Sequence, residues 1–131
     1  MTERAKNYRS LSKYISIFDI DWNKGSLPKG SFTTVVGFSM GAILACEYTL
    51  KTPVNTLILC SMTPLAETLA SVQAQKIIFI AGEKETWCIK NYKRLKKTLS
   101  CSSEIIVIKG EDHRISGNYR KTLIDILEIL Q

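Results

Sequence analysis

The sequence predicts an α/β domain, a three-layer sandwich in which a mostly parallel sheet of about five strands is flanked by helices. Two observations favour this fold class. Short runs rich in Ile, Val and Leu alternate along the chain with longer amphipathic stretches, as they do when each strand is followed by a helix. The runs are apolar at successive positions, which is typical of strands buried on both faces. With 131 residues, 45% of them hydrophobic, we expect a single domain over residues 1–131.

The first third of the chain predicts a helix, two strands and a second helix. Residues 2–12 resemble a polar helix, and Tyr14–Trp22 alternates apolar and polar side chains as a strand does. A turn-rich connection follows, which is short for a parallel crossover. The β-branched and aromatic run Phe32–Val36 predicts a strand. Ala42–Leu50 then predicts a helix that ends near Pro53.

Three further strands and two helices complete the predicted fold. The strands are Thr56–Cys60, Lys76–Ala81 and Glu104–Lys109. A basic helix follows the second of these, and its apolar face is expected to contain Cys88, Tyr92, Leu95 and Leu99. The last helix is Asn118–Leu130, with Tyr119, Leu123, Ile126 and Leu130 on one face. The segment Ser61–Gln75 is too short to hold a separate lid domain.

The charge pattern bears on possible partners. The net charge of +6 comes largely from the basic helix, whose cations are Lys90, Lys93, Arg94, Lys96 and Lys97. Because these residues alternate with an apolar face, we interpret them as the solvated side of the helix and expect no nucleic-acid partner. The sequence contains no secretory signal and no apolar run of membrane-spanning length. We therefore expect a cytoplasmic protein that does not enter a membrane.

The cysteines indicate neither a metal site nor a redox pair. Cys46, Cys60, Cys88 and Cys101 are dispersed, without the short spacings that such sites use. In a reducing compartment they are expected to be small buried hydrophobic residues. With a single histidine and scattered cysteines, we expect no metal and no cofactor.

Five residues carry the strongest chemical signal, Gly37-Phe38-Ser39-Met40-Gly41. Their Gly-x-Ser-x-Gly spacing is typical of a sharp turn that leaves a strand, enters a helix and exposes a serine hydroxyl. Glycine is expected at both ends because such a turn crowds backbone against backbone. The alternative is an ordinary Gly-Ser turn of an unrelated α/β domain, or a cysteine nucleophile elsewhere; the predicted strand and helix on either side favour Ser39 as the nucleophile.

The predicted sheet brings this serine close to a carboxylate and a histidine. Ligands of parallel sheets bind at the carboxyl ends of the strands, so Gly37–Gly41, Gly82–Glu85 and Gly110–His113 are expected to be neighbours. A serine needs a base within hydrogen-bond reach, and His113 is the sole imidazole in the sequence. The base needs an orienting carboxylate. Among the acidic residues, Glu85 is the first candidate, Glu83 the second, and Asp112, adjacent to His113, ranks lower.

In this order of serine, acid and histidine, each at the end of a successive strand, the chain resembles the α/β-hydrolase fold superfamily. Gly82-Glu83-Lys84-Glu85 is similar to the family's Gly-x-x-Asp, with glutamate in place of aspartate. Gly110-Glu111-Asp112-His113 is similar to its Gly-x-x-His. The resemblance, which covers nearly all of the chain from Tyr14 onward, implies a small, lid-less, minimal α/β-hydrolase fold. It implies Ser39 as nucleophile, Glu85 as acid, His113 as base and the Met40 N–H as an oxyanion-hole donor.

The sequence departs from the family's pattern in the part of the chain that precedes Gly37-Phe38-Ser39-Met40-Gly41. The family has a further strand and a Gly-rich loop there, which supplies a second oxyanion donor, and neither is found in this sequence. The absence of this strand predicts a gap, an exposed sheet edge or a rearranged pairing, and a homodimer that covers the exposed edge is one hypothesis. Two functions follow as alternatives: a serine hydrolase of small-molecule carboxylic esters or thioesters, with Phe38 and Met62 in the substrate-binding site, or a non-catalytic α/β-hydrolase-like binding protein.

Overall fold

The computed structural model describes Leu11, Leu27, residues 29–114 and residues 117–130. These residues fall into two compact units. The first is Lys29–His113, and the second includes Arg114 and the last helix. The predicted strand Tyr14–Trp22, and the predicted helix over residues 2–12 apart from Leu11, lie outside the described residues. The expectation of a single domain stays a prediction.

The first unit is built on a parallel sheet of four strands. They are β1 (Thr34–Phe38), β2 (Val54–Cys60), β3 (Ala74–Gly82) and β4 (Ser102–Ile108), and they lie in the order β1-β2-β3-β4. The register aligns Phe38 with Cys60, Cys60 with Ile80, and Ile80 with Ile106. All four strands therefore end at the same edge of the sheet.

These strands confirm the predicted ones, with bounds that differ by at most two residues. The largest difference that concerns the motif is in β1, which continues to Phe38 rather than ending before the first glycine. It does so because Gly37 and Phe38 still pair with Leu59 and Cys60 of β2. The strand thus runs directly up to Ser39.

Helices connect the strands of this unit. They are α1 (Met40–Lys51), α2 (Ala66–Ser71) and α3 (Thr86–Leu95), the last followed by a 3₁₀ turn, Lys96–Thr98. The first and third confirm predicted helices. The second was not predicted, because its six residues are too few to show helical periodicity. Among the described residues, no helix has the length and apolar character needed to cross a membrane.

The core of the sheet lies in its two inner strands. Leu57–Cys60 of β2 and Phe79–Ala81 of β3 are completely buried. Tyr92 of α3 is also buried and packs its ring on Phe79, with 4.8 Å between the ring centroids.

The apolar face predicted for this helix is confirmed at Cys88 and Tyr92, and Leu95 is half-buried. The prediction of Leu99 on this face is wrong, because the residue follows the 3₁₀ turn in extended backbone. The lysines of the helix are exposed. The basic residues therefore form a solvated face, as expected.

The second unit contains α4 (Gly117–Leu130), which confirms the predicted last helix. Its buried side chains are Tyr119, Leu123, Ile124 and Leu127. The prediction of Leu130 as a member of this face is wrong, because that side chain is 36% exposed. The buried stripe follows steps of four residues, Tyr119, Leu123 and Leu127, which lie on one side of a helix.

The two glycines of the Gly-x-Ser-x-Gly turn are not equivalent. A Cβ on Gly37 would lie 2.4 Å from the carbonyl oxygen of Gly41 and 2.6 Å from the Cα of Ala42. A Cβ on Gly41 would meet nothing within 4 Å. The expectation that crowding requires glycine at both positions is therefore correct for Gly37 and wrong for Gly41.

This asymmetry predicts opposite outcomes for two matched substitutions. Gly37→Ala is expected to lower the free energy of unfolding by about 2 kcal/mol or more, because backbone must move to admit the methyl group. Gly41→Ala is expected to be neutral or to stabilise by up to about 1 kcal/mol, since alanine favours the helix. Urea unfolding of the two variants measures the difference. Equal losses of stability would contradict this account of the turn.

The four cysteines differ in how far they are buried. Cys46, Cys60 and Cys88 are completely buried, which confirms the expectation, while Cys101 is only half-buried. Burial, with a smaller contribution from the nearby Glu47, raises the pKa of Cys46 to about 12. Burial also raises the pKa of Cys88 and of Cys101.

These environments predict an order of cysteine reactivity. At pH 8 the Cys46 thiol is almost entirely protonated, and the thiolate is the reactive species. In the folded protein we expect iodoacetamide to modify Cys101 first and Cys46 last, whereas all four react in denaturant. Peptide mass spectrometry over a time course measures each rate. Modification of Cys46 as fast as Cys101 under native conditions would show that the core around α1 is open.

Candidate active site

Ser39 lies in the turn between β1 and α1, at the carboxyl edge of the sheet. Its backbone adopts φ 56° and ψ −121°, a conformation that non-glycine residues rarely adopt and that costs about 1–3 kcal/mol. The Ser39 N–H donates to the carbonyl of Cys60 at 2.8 Å, which ties the turn to the end of β2. The surrounding structure thus holds the serine in a strained turn at the carboxyl edge of the sheet.

His113 lies in the loop that follows β4, and that loop is fastened to the end of β3. The N–H of Lys84 donates to the Glu111 carbonyl at 3.1 Å, and the N–H of Gly110 donates to the Glu83 carboxylate at 3.1 Å. A Cβ on Gly82 would lie 2.2 Å from the Glu111 carbonyl oxygen. Glycine at this position therefore lets the histidine loop approach the β3 end closely enough for these bonds.

Ser39, His113 and Glu85 form one continuous chain of hydrogen bonds. The Ser39 Oγ lies 2.8 Å from Nε2 of His113, and Nδ1 of the same ring lies 2.8 Å from Oε2 of Glu85. An ionised carboxylate can only accept, so Nδ1 carries the proton. In the neutral ring Nε2 is then an acceptor, and the serine hydroxyl donates to it. The arrangement leaves the imidazole ready to receive the serine proton.

The Glu85 carboxylate is buried, and its oxygens have hydrogen-bond donors. The residue is 1% exposed and lies at the start of α3. Its Oε1 accepts from the Ser61 Oγ at 2.6 Å and from the Gly82 N–H at 2.9 Å, while Oε2 faces His113. A buried carboxylate needs such donors, because burying an unpaired charge is costly. The fold thus supplies a fixed negative group beneath an imidazole whose side chain is 42% exposed.

The two other acidic candidates, Glu83 and Asp112, lie on the surface. Glu83 is exposed and accepts from the backbone of Gly110, so it holds the histidine loop rather than the imidazole. Asp112 is exposed. The structure therefore brings Glu85, the first candidate, to His113.

Aromatic and apolar side chains surround the histidine. The ring centroids of Phe38 and Trp87 lie 5.3 and 6.5 Å from that of His113. Trp87 is 46% exposed and Met40, next to the serine, is 53% exposed. Met62, in the segment after β2, is half-buried. The site is therefore open to solvent, and the side chains around it are mostly apolar.

Met40 is the first residue of α1, so its N–H has no acceptor within the helix. The amino end of a helix carries a partial positive charge and binds anions. This N–H therefore lies on the anion-attracting end of α1, next to the Ser39 hydroxyl. The oxyanion-donor role that the family resemblance implies for this N–H stays a prediction.

The sequence predicts that the loops Ser61–Leu65 and Glu85–Cys88 supply pocket walls, but it gives no individual catalytic role to Ser61 or Trp87. A single available signal pointed to Ser61, a polar residue directly after an otherwise apolar strand. Trp87 could have been noticed because it follows the acid candidate by two positions, on the first turn of α3.

Other candidate sites in the described residues are weaker. A shallow cavity of about 310 Å³ is lined by Pro53, Val54, Asn55, Gln73, Ala74 and Gln75. It lies at the starts of β2 and β3, at the edge of the sheet away from Ser39. Within the described ranges, no group of three histidine, cysteine or acidic side chains could hold a metal ion.

Comparisons with known proteins support the fold. No protein-family model matches the sequence, and no curated protein matches it. Among solved structures, the crystal structure of a predicted CIB-like hydrolase from Thermoplasma acidophilum is similar, with a TM-score of 0.59 and 19% sequence identity. The similarity covers 74% of this chain and 49% of the archaeal protein.

This chain therefore spans about half the length of that hydrolase, and at this identity the likeness concerns the fold. The four-stranded parallel sheet with its connecting helices, and the match to that structure, agree with the predicted fold class. The described residues form a layered α/β fold with a four-stranded parallel sheet, which is consistent with a minimal α/β-hydrolase fold.

Proposed function

We propose that the protein is a serine hydrolase that cleaves carboxylic esters or thioesters through an acyl-serine intermediate. The observation that carries this proposal is the continuous contact from the Ser39 hydroxyl through His113 to the buried Glu85 carboxylate. An α/β-hydrolase-type fold and its similarity to a protein described as a hydrolase support the reaction class.

Acylation begins with the Ser39 Oγ, which attacks the carbonyl carbon of the substrate. Nε2 of His113, 2.8 Å away, accepts the hydroxyl proton as the new C–O bond forms. Glu85 holds Nδ1 and stabilises the imidazolium that results. The tetrahedral intermediate then collapses, the bond to the alcohol or thiol breaks, and His113 returns its proton to the leaving group.

Deacylation repeats these steps with water as the nucleophile. His113 accepts a proton from water as the oxygen attacks the acyl-serine, and then returns it to Ser39 when the acid leaves. In both halves of the reaction the carbonyl oxygen becomes negative. We propose that the Met40 N–H donates to this oxygen, aided by the positive end of α1.

The surroundings of Ser39 favour an acyl group that is small or extends into solvent. The exposed apolar side chains Met40 and Trp87, together with Phe38 against the imidazole, offer contacts to an apolar acyl chain. Met62 lies in the neighbouring segment after β2 and is proposed to contact the same group. Apolar walls with a few convergent polar groups are typical of small-molecule sites.

Steady-state hydrolysis of p-nitrophenyl butyrate tests the proposal. Ser39→Ala and His113→Ala are expected to lower kcat by about 10⁴-fold or more, or to the background rate, because each removes a reacting group. Glu85→Gln is expected to lower kcat by about 10²- to 10⁴-fold, because the amide no longer stabilises the imidazolium.

Two matched variants serve as controls. Glu83→Gln makes the same chemical change two residues away and keeps an oxygen that can accept from Gly110. Ser102→Ala removes an exposed hydroxyl at the start of β4, away from the carboxyl edge. Both are expected to retain kcat within about threefold, as surface changes usually do. Turnover that survives Ser39→Ala would contradict the proposal, and a folded wild type without turnover would favour the non-catalytic binding protein.

A further inference from the structure

Ser61, like Ser39, is a non-glycine residue with a positive φ angle. The two residues follow neighbouring strands, and their φ angles are 57° and 56°. The N–H of Ser61 donates to the Ile80 carbonyl at 2.7 Å, as that of Ser39 donates to the Cys60 carbonyl. Both serines therefore sit just past the last ladder bond of their strand. A non-glycine residue held in this conformation points to a role for its side chain.

The side chain of Ser61 is buried against the Glu85 carboxylate. The residue is 0% exposed, and its Oγ donates to Oε1 of Glu85 at 2.6 Å. A hydrogen bond from a hydroxyl to an ionised carboxylate is short and strong. Glycine would relieve the backbone strain at this position, but it would leave Oε1 without this donor.

A glutamate needs this second contact more than an aspartate does. Its side chain has one additional rotatable bond, so one hydrogen bond to His113 leaves the carboxylate free to turn. Ser61 Oγ and the Gly82 N–H both hold Oε1, and they meet it from the ends of different strands. With Oε1 fixed on both, Oε2 is directed at Nδ1 of His113.

We propose that Ser61 is a positioning residue: it fixes the carboxylate of Glu85 and thereby holds His113 in the tautomer protonated at Nδ1. The catalytic consequence of this role rests on the proposed hydrolase function. The effect on the tautomer does not, because it depends on hydrogen bonds within the folded chain and not on turnover.

The position of the proton on the His113 ring can be measured directly by NMR spectroscopy. The chain contains one histidine, so the ring signals in a long-range ¹H–¹⁵N spectrum belong to His113 without further assignment. In its neutral form, the wild-type ring is expected to be protonated at Nδ1. Without the Ser61 hydroxyl, the Glu85 carboxylate is expected to spend less time hydrogen-bonded to Nδ1. In Ser61→Ala and Ser61→Gly, the fraction of the ring protonated at Nε2 is therefore expected to rise at least about threefold.

Kinetics supply the second readout, again with p-nitrophenyl butyrate. Either Ser61 variant is expected to lower kcat by about 10- to 100-fold, the range for losing a hydrogen bond to a charged group. KM is expected to stay within about twofold, because Ser61 does not touch the substrate. In a Glu85→Gln background the same Ser61 substitutions are expected to change kcat by less than about threefold, since their effect passes through Glu85.

Thr49→Val is the matched control, because it also removes a completely buried hydroxyl. The Thr49 hydroxyl donates within α1, to the carbonyls of Ala45 and Cys46, and the Val substitution leaves the Thr49 carbonyl, which accepts from the Gln73 N–H, in place. This variant is expected to leave the histidine spectrum and kcat unchanged whatever it does to stability. Ser61→Gly complements Ser61→Ala because it removes the positive-φ strain and so protects the fold.

The outcomes separate this inference from the proposed function. A wild-type histidine spectrum in both Ser61 variants, or equal losses of kcat with and without Glu85, would overturn the positioning role even if the enzyme is active. A tautomer shift in a protein without turnover would support the positioning role and contradict the hydrolase function. A tautomer shift in Thr49→Val of the same size would assign the effect to general loosening and overturn the proposal.

Discussion

The structure of the site depends on one buried negative group, the carboxylate of Glu85. At 1% exposure it must be hydrogen-bonded, and its described donors come from three places in the sheet. Ser61 reaches it from the end of β2, Gly82 from the end of β3, and His113 from the loop after β4. Hydrogen bonds to the Glu85 carboxylate therefore connect the ends of three neighbouring strands. The exposed imidazole, in turn, connects them to Ser39 at the end of β1.

Close backbone contact makes this convergence possible. Gly37 lets the start of α1 fold back on β1, and Gly82 lets the histidine loop lie against the end of β3. In both places a Cβ would come within 2.4 Å of a backbone carbonyl oxygen. The strain at Ser39 and Ser61 is tolerated because these contacts and the parallel ladder over-determine the turns.

Much of this arrangement could be predicted from local sequence. The strand and helix around Ser39 follow from side-chain pattern, and the rule that parallel strands end at one edge brought Glu85 and His113 into the same prediction. The sequence ranks Glu85 above Glu83 but does not settle the choice, since it depends on how the turn after Gly82 directs each side chain. The contact of Ser61 with Glu85 depends on a left-handed backbone angle, which no periodicity reveals. The short helix α2 has too few residues for a pattern.

The central claim is that Ser39 is an activated nucleophile, and a fluorophosphonate probe tests it most directly. The serine-bound phosphonate can be located by intact-mass measurement followed by peptide sequencing. The account predicts one label per folded chain, carried by Ser39, formed slowly in His113→Ala and absent from Ser39→Ala. No label on folded wild-type protein, or a label on another residue, would contradict it.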